Sequence, residues 1–149
     1  MGQASEASGT RKTVGMPAVQ IDVLDVWSEA QRSAIAEAVQ QALVATLDVP
    51  ERDRFQVIRA HPSQDFVFDR GYLEIERSDR FVMVTVTLAA GRSTEAKQAF
   101  YTELCRGLLR AVGLRPQDLA VALVENQRED WSFGHGEASY LTIPRERWR

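Results

Sequence analysis

The chain has 149 residues, 44% of them hydrophobic, which is enough to bury the core of one globular domain. Its 18 Lys and Arg residues against 21 Asp and Glu give a net charge of −3, so there is no basic field for nucleic acid or an anionic membrane. The apolar runs have strand length, and none could span a bilayer. The lone Cys105 excludes an internal disulfide and fits a reducing cytoplasm. His61 and His135 lack the spacing of metal ligands, so we expect no metal site.

Residues 1–16 differ in composition from the rest of the chain. They are rich in Gly, Ser, Thr and Ala, with neither the apolar stretch of a signal peptide nor a helical period. We expect a disordered tail or a segment that is not normally translated. If translation starts at Met16 and this methionine is removed, Pro17 carries a free secondary amine. If translation starts at Met1, the Pro17 nitrogen is an amide without useful basicity.

From Pro17 onward the sequence predicts a strand followed by a helix. Residues 19–23 alternate between apolar and polar side chains, as in a half-buried strand. Ser28 and Gln31 have the spacing of a capping box that begins a helix, and Pro50 ends it. The predicted buried face of this helix consists of Ile35, Val39, Ala42, Leu43 and Leu47.

The second half of the chain repeats this plan. Residues 82–88 alternate as a strand, Ser93 caps a helix that Gly113 ends, and residues 119–124 follow as another strand. The apolar stripe of this second helix consists of Phe100, Leu104, Leu108 and Val112.

A constant offset of 65 residues relates the two halves, carrying Val19 to Val84 and Asp53 to Asp118. We therefore predict two β-α-β units joined by a hairpin-like insert, with parallel strands inside each unit. The bounds are 17–63 and 80–126 for the units, 64–79 for the insert and 127–149 for the C-terminal segment. The fold class is α+β, with a four-stranded, mostly parallel sheet, two helices on one face and small hairpin elements. The bare face of such a sheet favours self-association.

Four segments stand in a specific order along residues 16–136. They are Met16-Pro17-Ala18-Val19, the run from Val49 to Ile58, Gly91-Arg92-Ser93, and Asp130-Trp131-Ser132-Phe133-Gly134, the last preceded by Leu123-Val124-Glu125-Asn126. Together they resemble the tautomerase superfamily, which includes 4-oxalocrotonate tautomerase-like proteins and whose N-terminal proline is the catalytic group. The resemblance is closer still to its malonate semialdehyde decarboxylase-like branch.

The resemblance implies roles for three residues. Pro17 is the catalytic amine, and an apolar pocket would lower its pKa toward neutrality. Asp53 matches an acidic residue that orients or activates water, although Asp is also common in turns. Arg92 would hold a substrate carboxylate through its guanidinium. The decarboxylase carries a second arginine in the same loop, where this chain has Ala89 or Ala90.

Further candidates are weaker. Trp131 and Phe133 are expected to wall the pocket, or else to belong to the core or to an interface. His61 and Tyr72 are candidate polar groups for substrate binding. Residues 145–149 are interpreted as a solvated end with Trp148 as a packing anchor. Three arginines are candidates to replace the missing guanidinium: Arg54, Arg70 and Arg77.

We therefore expect a cofactor-independent tautomerase that interconverts keto and enol forms of a small 2-oxo acid, with Pro17 as base and acid. The alternative is a decarboxylase or hydratase of a 3-oxo acid such as malonate semialdehyde, with Pro17 protonated. If Pro17 is not the mature N-terminus, the protein is a non-catalytic trimer or a binding module. The resemblance also implies a homotrimer assembled through the bare sheet faces.

Overall fold

The computed structural model describes residues 17–148, so the expectation for residues 1–16 lies outside the described part. The elements are β1 (Ala18–Leu24), α1 (Glu29–Thr46), β2 (Gln56–His61), β3 (Val82–Ala89), α2 (Thr94–Val112), β4 (Leu119–Asn126) and a short α3 (Ser139–Thr142). Within residues 17–148, no helix combines the length and the apolar character needed to cross a membrane.

The four strands form one mixed sheet in the order β2-β1-β3-β4. The pairs β1–β2 and β3–β4 are parallel, as predicted, and the two units meet through the antiparallel pair β1–β3. Val19 lies opposite Gln56, and Val84 lies opposite Val121. Adding 65 to the first pair gives the second, so both units have the same strand register.

The junction between the units is symmetric as well. Gln20 and Thr85 are equivalent by the 65-residue offset, and they lie opposite each other in the β1–β3 pair. Two equivalent residues that face each other in an antiparallel pair mark a local twofold axis. The sequence repeat therefore appears as an internal twofold symmetry of the subunit.

The two long helices begin where the sequence predicted. The Ser28 hydroxyl accepts a hydrogen bond from the Gln31 N–H at 3.1 Å, and Gln31 Oε1 accepts one from the Ser28 N–H at 2.9 Å, which completes the capping box. The Ser93 hydroxyl accepts from the Ala96 N–H at 3.1 Å. Gly113 ends α2 with a φ of 66°, a conformation that glycine adopts without a steric penalty.

Both helices cover the same face of the sheet and bury the core between them. The largest buried side chains include Ile21, Val82 and Leu88 from the strands and Ile35, Leu43, Phe100, Leu104 and Leu108 from the helices. Successive strand residues point to opposite faces, so the residues between the buried ones lie on the bare face. Val57, Met83 and Val124 on this face are 51%, 36% and 49% exposed.

The insert at residues 64–79 differs from the predicted hairpin. It forms no strand, and 3₁₀ turns occupy Ser63–Asp65 and Tyr72–Glu74, with Leu73 at a φ of 59°. The Arg77 guanidinium donates to three carbonyl groups of the loop at 3.1 to 3.3 Å. These bonds from a side chain to the backbone hold the loop in place of a strand ladder.

Candidate active site

A cavity of about 260 Å³ lies beside the start of β2. Its wall consists of Arg52, Asp53, Phe55, Phe133, Ser139, Tyr140, Ile143, Arg147 and Trp148. The Phe55 carbonyl accepts a hydrogen bond from the Val19 N–H at 2.9 Å, so the start of β1 lies against the same wall. Pro17 is buried and stands two residues before Val19, a separation of at most about 7 Å along the chain. Chain continuity therefore keeps Pro17 close to this wall.

Asp53 reaches the cavity from the turn between α1 and β2. Its N–H donates to the Pro50 carbonyl at 3.0 Å, and its carbonyl accepts from Gln40 Nε2 at 3.1 Å. Gln40 is buried on α1 and also donates to the Glu51 carbonyl at 3.3 Å. Gln40 thus fixes the turn that carries Asp53. No sequence pattern indicates this role, because a glutamine inside an amphipathic helix has no distinguishing signal.

Asp53 and Asp118 are equivalent in the repeat, yet their carboxyl groups differ. Asp53 Oδ1 is buried without a hydrogen-bond partner in residues 17–148, and burial raises the pKa of Asp53 to about 7, against the opposing charge of Arg92. Burial also disfavours the charge of Asp118, but hydrogen bonds from Arg115 Nε at 3.0 Å and from Ser78 at 2.7 and 2.8 Å bring its pKa below the ordinary value. Asp118 therefore stabilises the fold through hydrogen bonds to Arg115 and Ser78. The Asp53 carboxyl lines a cavity, and its Oδ1 has no hydrogen-bond partner in residues 17–148.

Arg92 lies half-buried in the loop between β3 and α2. Its Nε donates to the Leu47 carbonyl at 2.9 Å, and its Nη1 donates to the Ala89 carbonyl at 3.1 Å. Gly91 precedes it with a φ of 128°, a conformation that residues with a side chain rarely adopt. The glycine turn and the two carbonyl groups fix the direction of the guanidinium.

The charge of Arg92 acts on the cavity wall. Burial lowers the pKa of its guanidinium, and the nearby Asp48, Tyr140 and Asp53 oppose that shift. Two of these groups, Tyr140 and Asp53, line the cavity. The structure thus brings Asp53 and Arg92 within electrostatic range of each other.

The segment that contains Trp131 and Phe133 forms an aromatic wall. Trp131 Nε1 donates to Asn126 Oδ1 at 2.7 Å at the end of β4, and the two rings stack with centroids 5.3 Å apart. The Phe133 N–H donates to the Ser139 hydroxyl at 2.9 Å, and the Ser139 N–H donates to the Trp131 carbonyl at 3.2 Å. Phe133 therefore lines the cavity from a fixed position, with Trp131 stacked on it.

Residues near the end of the chain also contribute to this wall, beyond the Phe133 that the sequence predicts there. The charged sequence of residues 145–149 predicts a solvated end, but Arg147 and Trp148 line the cavity together with Tyr140. The Trp148 ring meets the Tyr140 ring edge to face, with centroids 4.8 Å apart. Trp148 is thus a packing anchor, as expected, and it packs on the candidate site.

Within one chain, His61 and Tyr72 do not line the cavity. The cavity lies at the start of β2, whereas His61 ends this strand, roughly 16 Å away along it. His61 Nε2 lies 2.7 Å from Asp22 Oδ1, and its ring lies 5.5 Å from the Phe66 ring. Tyr72 belongs to the insert that follows His61, and it is exposed. The topology therefore puts both residues at the opposite end of the strands.

The three arginines considered as replacements for a second loop guanidinium do not line the cavity either. Arg54 pairs with Glu37 at 2.6 Å, Arg70 pairs with Asp79 at 2.8 Å, and Arg77 binds the carbonyl groups of the insert. The cations on the cavity wall are Arg52 and Arg147.

Comparison with known proteins identifies the family. A family model described as "Tautomerase enzyme" matches residues 53–134, and a second model with the same description matches residues 17–71. The chain belongs to the tautomerase family. This tautomerase-family chain is 36% identical to "Probable tautomerase YusQ" of Bacillus subtilis (strain 168) over 126 residues, which are 85% of this chain and 99% of the relative. It is 33% identical to "Probable tautomerase YrdN" of the same organism over 127 residues, 85% and 98% of the two chains.

Solved structures agree with this family. A malonate semialdehyde decarboxylase is 37% identical with a TM-score of 0.78, over 84% of this tautomerase-family chain and 96% of the other. FG41 malonate semialdehyde decarboxylase inhibited by 3-bromopropiolate is 38% identical, also at 0.78, over 85% and 99%. A fused 4-OT symmetric trimer shares the fold at 18% identity and a TM-score of 0.70, over 85% and 99%. The predicted superfamily and fold class are therefore confirmed.

Proposed function

We propose that the protein is an enzyme that interconverts the enol and keto forms of a small 2-oxo acid through the amine of an N-terminal Pro17. The observation that carries this proposal is the half-buried carboxyl of Asp53 beside a cavity: its Oδ1 is buried without a hydrogen-bond partner in residues 17–148, and burial raises its pKa to about 7. Such groups are rare in structural turns and cluster at sites of proton transfer. The family match that begins at residue 17 and the 36% identity to a probable tautomerase support the same function.

In the proposed reaction the neutral Pro17 amine takes the proton from the enol hydroxyl and returns it to carbon 3. The O–H bond breaks, a C–H bond forms, and the amine ends neutral. Phe55 and Phe133 give the site an apolar wall, and such surroundings disfavour the charged form of an amine. Arg92 holds the substrate carboxylate and stabilises the negative charge that develops on the oxygen. Asp53 positions the substrate oxygen or a water molecule.

A second candidate function is cofactor-independent decarboxylation or hydration of a 3-oxo acid. The 37% and 38% identities to two malonate semialdehyde decarboxylases favour it, and one of those structures is described as a basis for decarboxylase and hydratase activities. The same description includes a variant of that enzyme in which its first proline is replaced by alanine. In this reaction Pro17 stays protonated and stabilises the carbanion charge left when carbon dioxide departs. Ala89 and Ala90 supply no second loop guanidinium, which makes tautomerisation the first choice.

The test compares a chain that begins at Pro17 with the chain that begins at Met1. Ketonisation of phenylenolpyruvate is followed by ultraviolet absorbance, and malonate semialdehyde is assayed by release of carbon dioxide. We expect the chain with the free amine to be at least about 100-fold faster, the scale of general acid–base catalysis. Replacing Pro17 with Ala in that chain should remove most of this gain. Equal inactivity of the short chain on both substrates would overturn both candidates, and the intact mass of the natively expressed protein tells which form exists.

We also propose a homotrimer that buries the bare face of the sheet. The exposed Val57, Met83 and Val124 on this face support self-association, and the fused 4-OT of the same fold is described as a symmetric trimer. Sedimentation equilibrium should give three times the 16.7 kDa mass of the chain. Replacing Val124 with Glu should lower this mass, because a charge would then be buried in the interface.

A further inference from the structure

The C-terminal segment supplies six of the nine residues on the cavity wall: Phe133, Ser139, Tyr140, Ile143, Arg147 and Trp148. Trp148 is held in place from several sides. Its Nε1 donates to the Ile143 carbonyl at 3.1 Å, its ring meets Tyr140 edge to face at 4.8 Å, and the Arg128 guanidinium lies 5.5 Å from its centroid. These contacts fix the position of the segment on the cavity wall.

The wall is continuous in aromatic character. Phe55 and Phe133 lie 5.8 Å apart, Phe133 and Tyr140 lie 5.4 Å apart, and Tyr140 and Trp148 lie 4.8 Å apart between ring centroids. Rings in such tilted and edge-to-face arrangements leave further ring faces and edges for a ligand. A three-carbon acid has no apolar body that could use them. Pockets for drug-sized ligands typically have volumes of roughly 300–1,000 Å³. The cavity of about 260 Å³ is only slightly smaller, so it can hold a ligand with a single ring.

The charges on the wall favour an anion. Arg52 and Arg147 line the cavity, and within residues 17–148 neither guanidinium has a salt bridge or a side-chain hydrogen bond. The carboxyl on the same wall is that of Asp53, which keeps its proton to a higher pH than usual because it is buried. Two unpaired guanidinium groups beside aromatic rings are typical of a site for a carboxylate with an apolar body.

We infer that the C-terminal segment is a substrate-binding element, in which Arg147 joins Arg92 in binding the substrate carboxylate while Trp148, Tyr140 and Phe133 bind an aromatic or other bulky apolar body. The substrate class is thus a monocarboxylic 2-oxo acid with a ring or branched side chain, and not a three-carbon acid. This inference rests on the proposed function for the reaction, but the binding step can be measured without it.

The experiment measures binding of 3-phenylpropanoate, an acid that cannot tautomerise, by titration calorimetry. It uses the chain that begins at Met1 and the chain that begins at Pro17. Arg147→Gln should weaken binding about tenfold or more, the scale of a lost charge-assisted hydrogen bond, and Arg147→Lys should restore part of it. Arg106→Gln on the exposed side of α2 removes the same charge at a residue that does not line the cavity, and it should change binding less than twofold. Arg147 is exposed, so its replacement leaves the core intact.

A kinetic comparison separates the ring from the carboxylate. Trp148→Ala should raise KM for phenylenolpyruvate about tenfold with a smaller change in kcat, and the control Arg106→Gln should leave both values within twofold. No binding of 3-phenylpropanoate by the unaltered chains, or equal binding by Arg147→Gln, would overturn the inference. Loss of binding in Arg147→Gln together with an inactive Pro17 chain would instead support the binding site and reject the proposed reaction.

Discussion

Replacing Asp53 with Asn tests whether its carboxyl is held in the protonated form by burial. The difference between an ordinary pKa of 3.8 and one of about 7 corresponds to about 4 kcal/mol, because one pKa unit is about 1.4 kcal/mol. Part of the residue remains exposed, and solvent screening reduces this penalty to about 2 kcal/mol. Asn has nearly the shape of the protonated carboxyl and no charge, so it should remove the penalty.

The sign of the effect follows from which state binds the proton more tightly. The raised pKa means that the folded protein keeps a proton that the unfolded chain has lost between about pH 4 and pH 7, so stability falls as the pH rises through this range. The Asp53→Asn protein lacks this dependence. Urea unfolding at one protein concentration should therefore give equal stabilities near pH 4, and the variant should be more stable by about 2 kcal/mol at pH 8.

Asp118→Asn is the matched control, because Asp118 occupies the equivalent turn of the other unit. Its pKa is lowered, so its stabilising effect is present above the ordinary carboxyl pKa and is lost as the pH falls. The loss of charge-assisted bonds from Arg115 and Ser78 should destabilise this variant by about 3 kcal/mol at pH 8. The two substitutions should thus have opposite signs. If the stabilities of Asp53→Asn and the unaltered protein stay parallel within about 0.5 kcal/mol from pH 4 to pH 8, the reasoning is refuted.

Three further predictions concern the loop and the core. Arg92→Gln removes the charge that opposes the shift of Asp53, so a carboxyl ¹³C titration should show the Asp53 pKa rising above about 7, and an unchanged midpoint would contradict this. Gly91→Ala places a side chain at a φ of 128° and should cost about 1–3 kcal/mol in urea unfolding, with a drop in kcat/KM because the next residue is Arg92. Phe100→Ala empties a fully buried site on α2 and should cost about 3–5 kcal/mol, measured in the same way, while a loss below 1 kcal/mol would contradict the packing.

The elements were predictable from the sequence because their signals are local. The alternation around Ile21 and Val84 and the caps at Ser28 and Ser93 each depend on residues within one turn or one strand. The parallel pairing inside each unit followed from the connection through a helix. The antiparallel junction of β1 and β3 did not, because it depends on how two separately predicted units meet.

The sequence predicted only those residues of the site that lie in recognisable segments at the ends of strands and helices. Asp53 lies within electrostatic range of Arg92, and Phe133 lines the cavity, while the roles of these residues in the reaction stay predictions. Arg147 and Trp148 were missed because a short charged end looks solvated until its contact with Tyr140 is known. The turn at Leu73 was missed because a positive φ at a leucine has no sequence signature.

The internal twofold axis relates two parts of the backbone that carry different side chains and have different roles. By the 65-residue offset, Pro17 corresponds to Val82 and Arg92 corresponds to Trp27, whose ring lies 3.8 Å from the Arg80 guanidinium. One part has the cavity lined by Asp53. The equivalent part has Trp27 covered by Arg80 and the hydrogen-bonded carboxylate of Asp118. An assembly of three subunits would therefore have six sites related by symmetry in the backbone. Three of them would be cavities like the one at Asp53, and three would be the hydrogen-bonded turns at Asp118 that stabilise the fold. We therefore expect substitutions around Asp53 to change the reaction, and substitutions around Asp118 to change the stability of the fold.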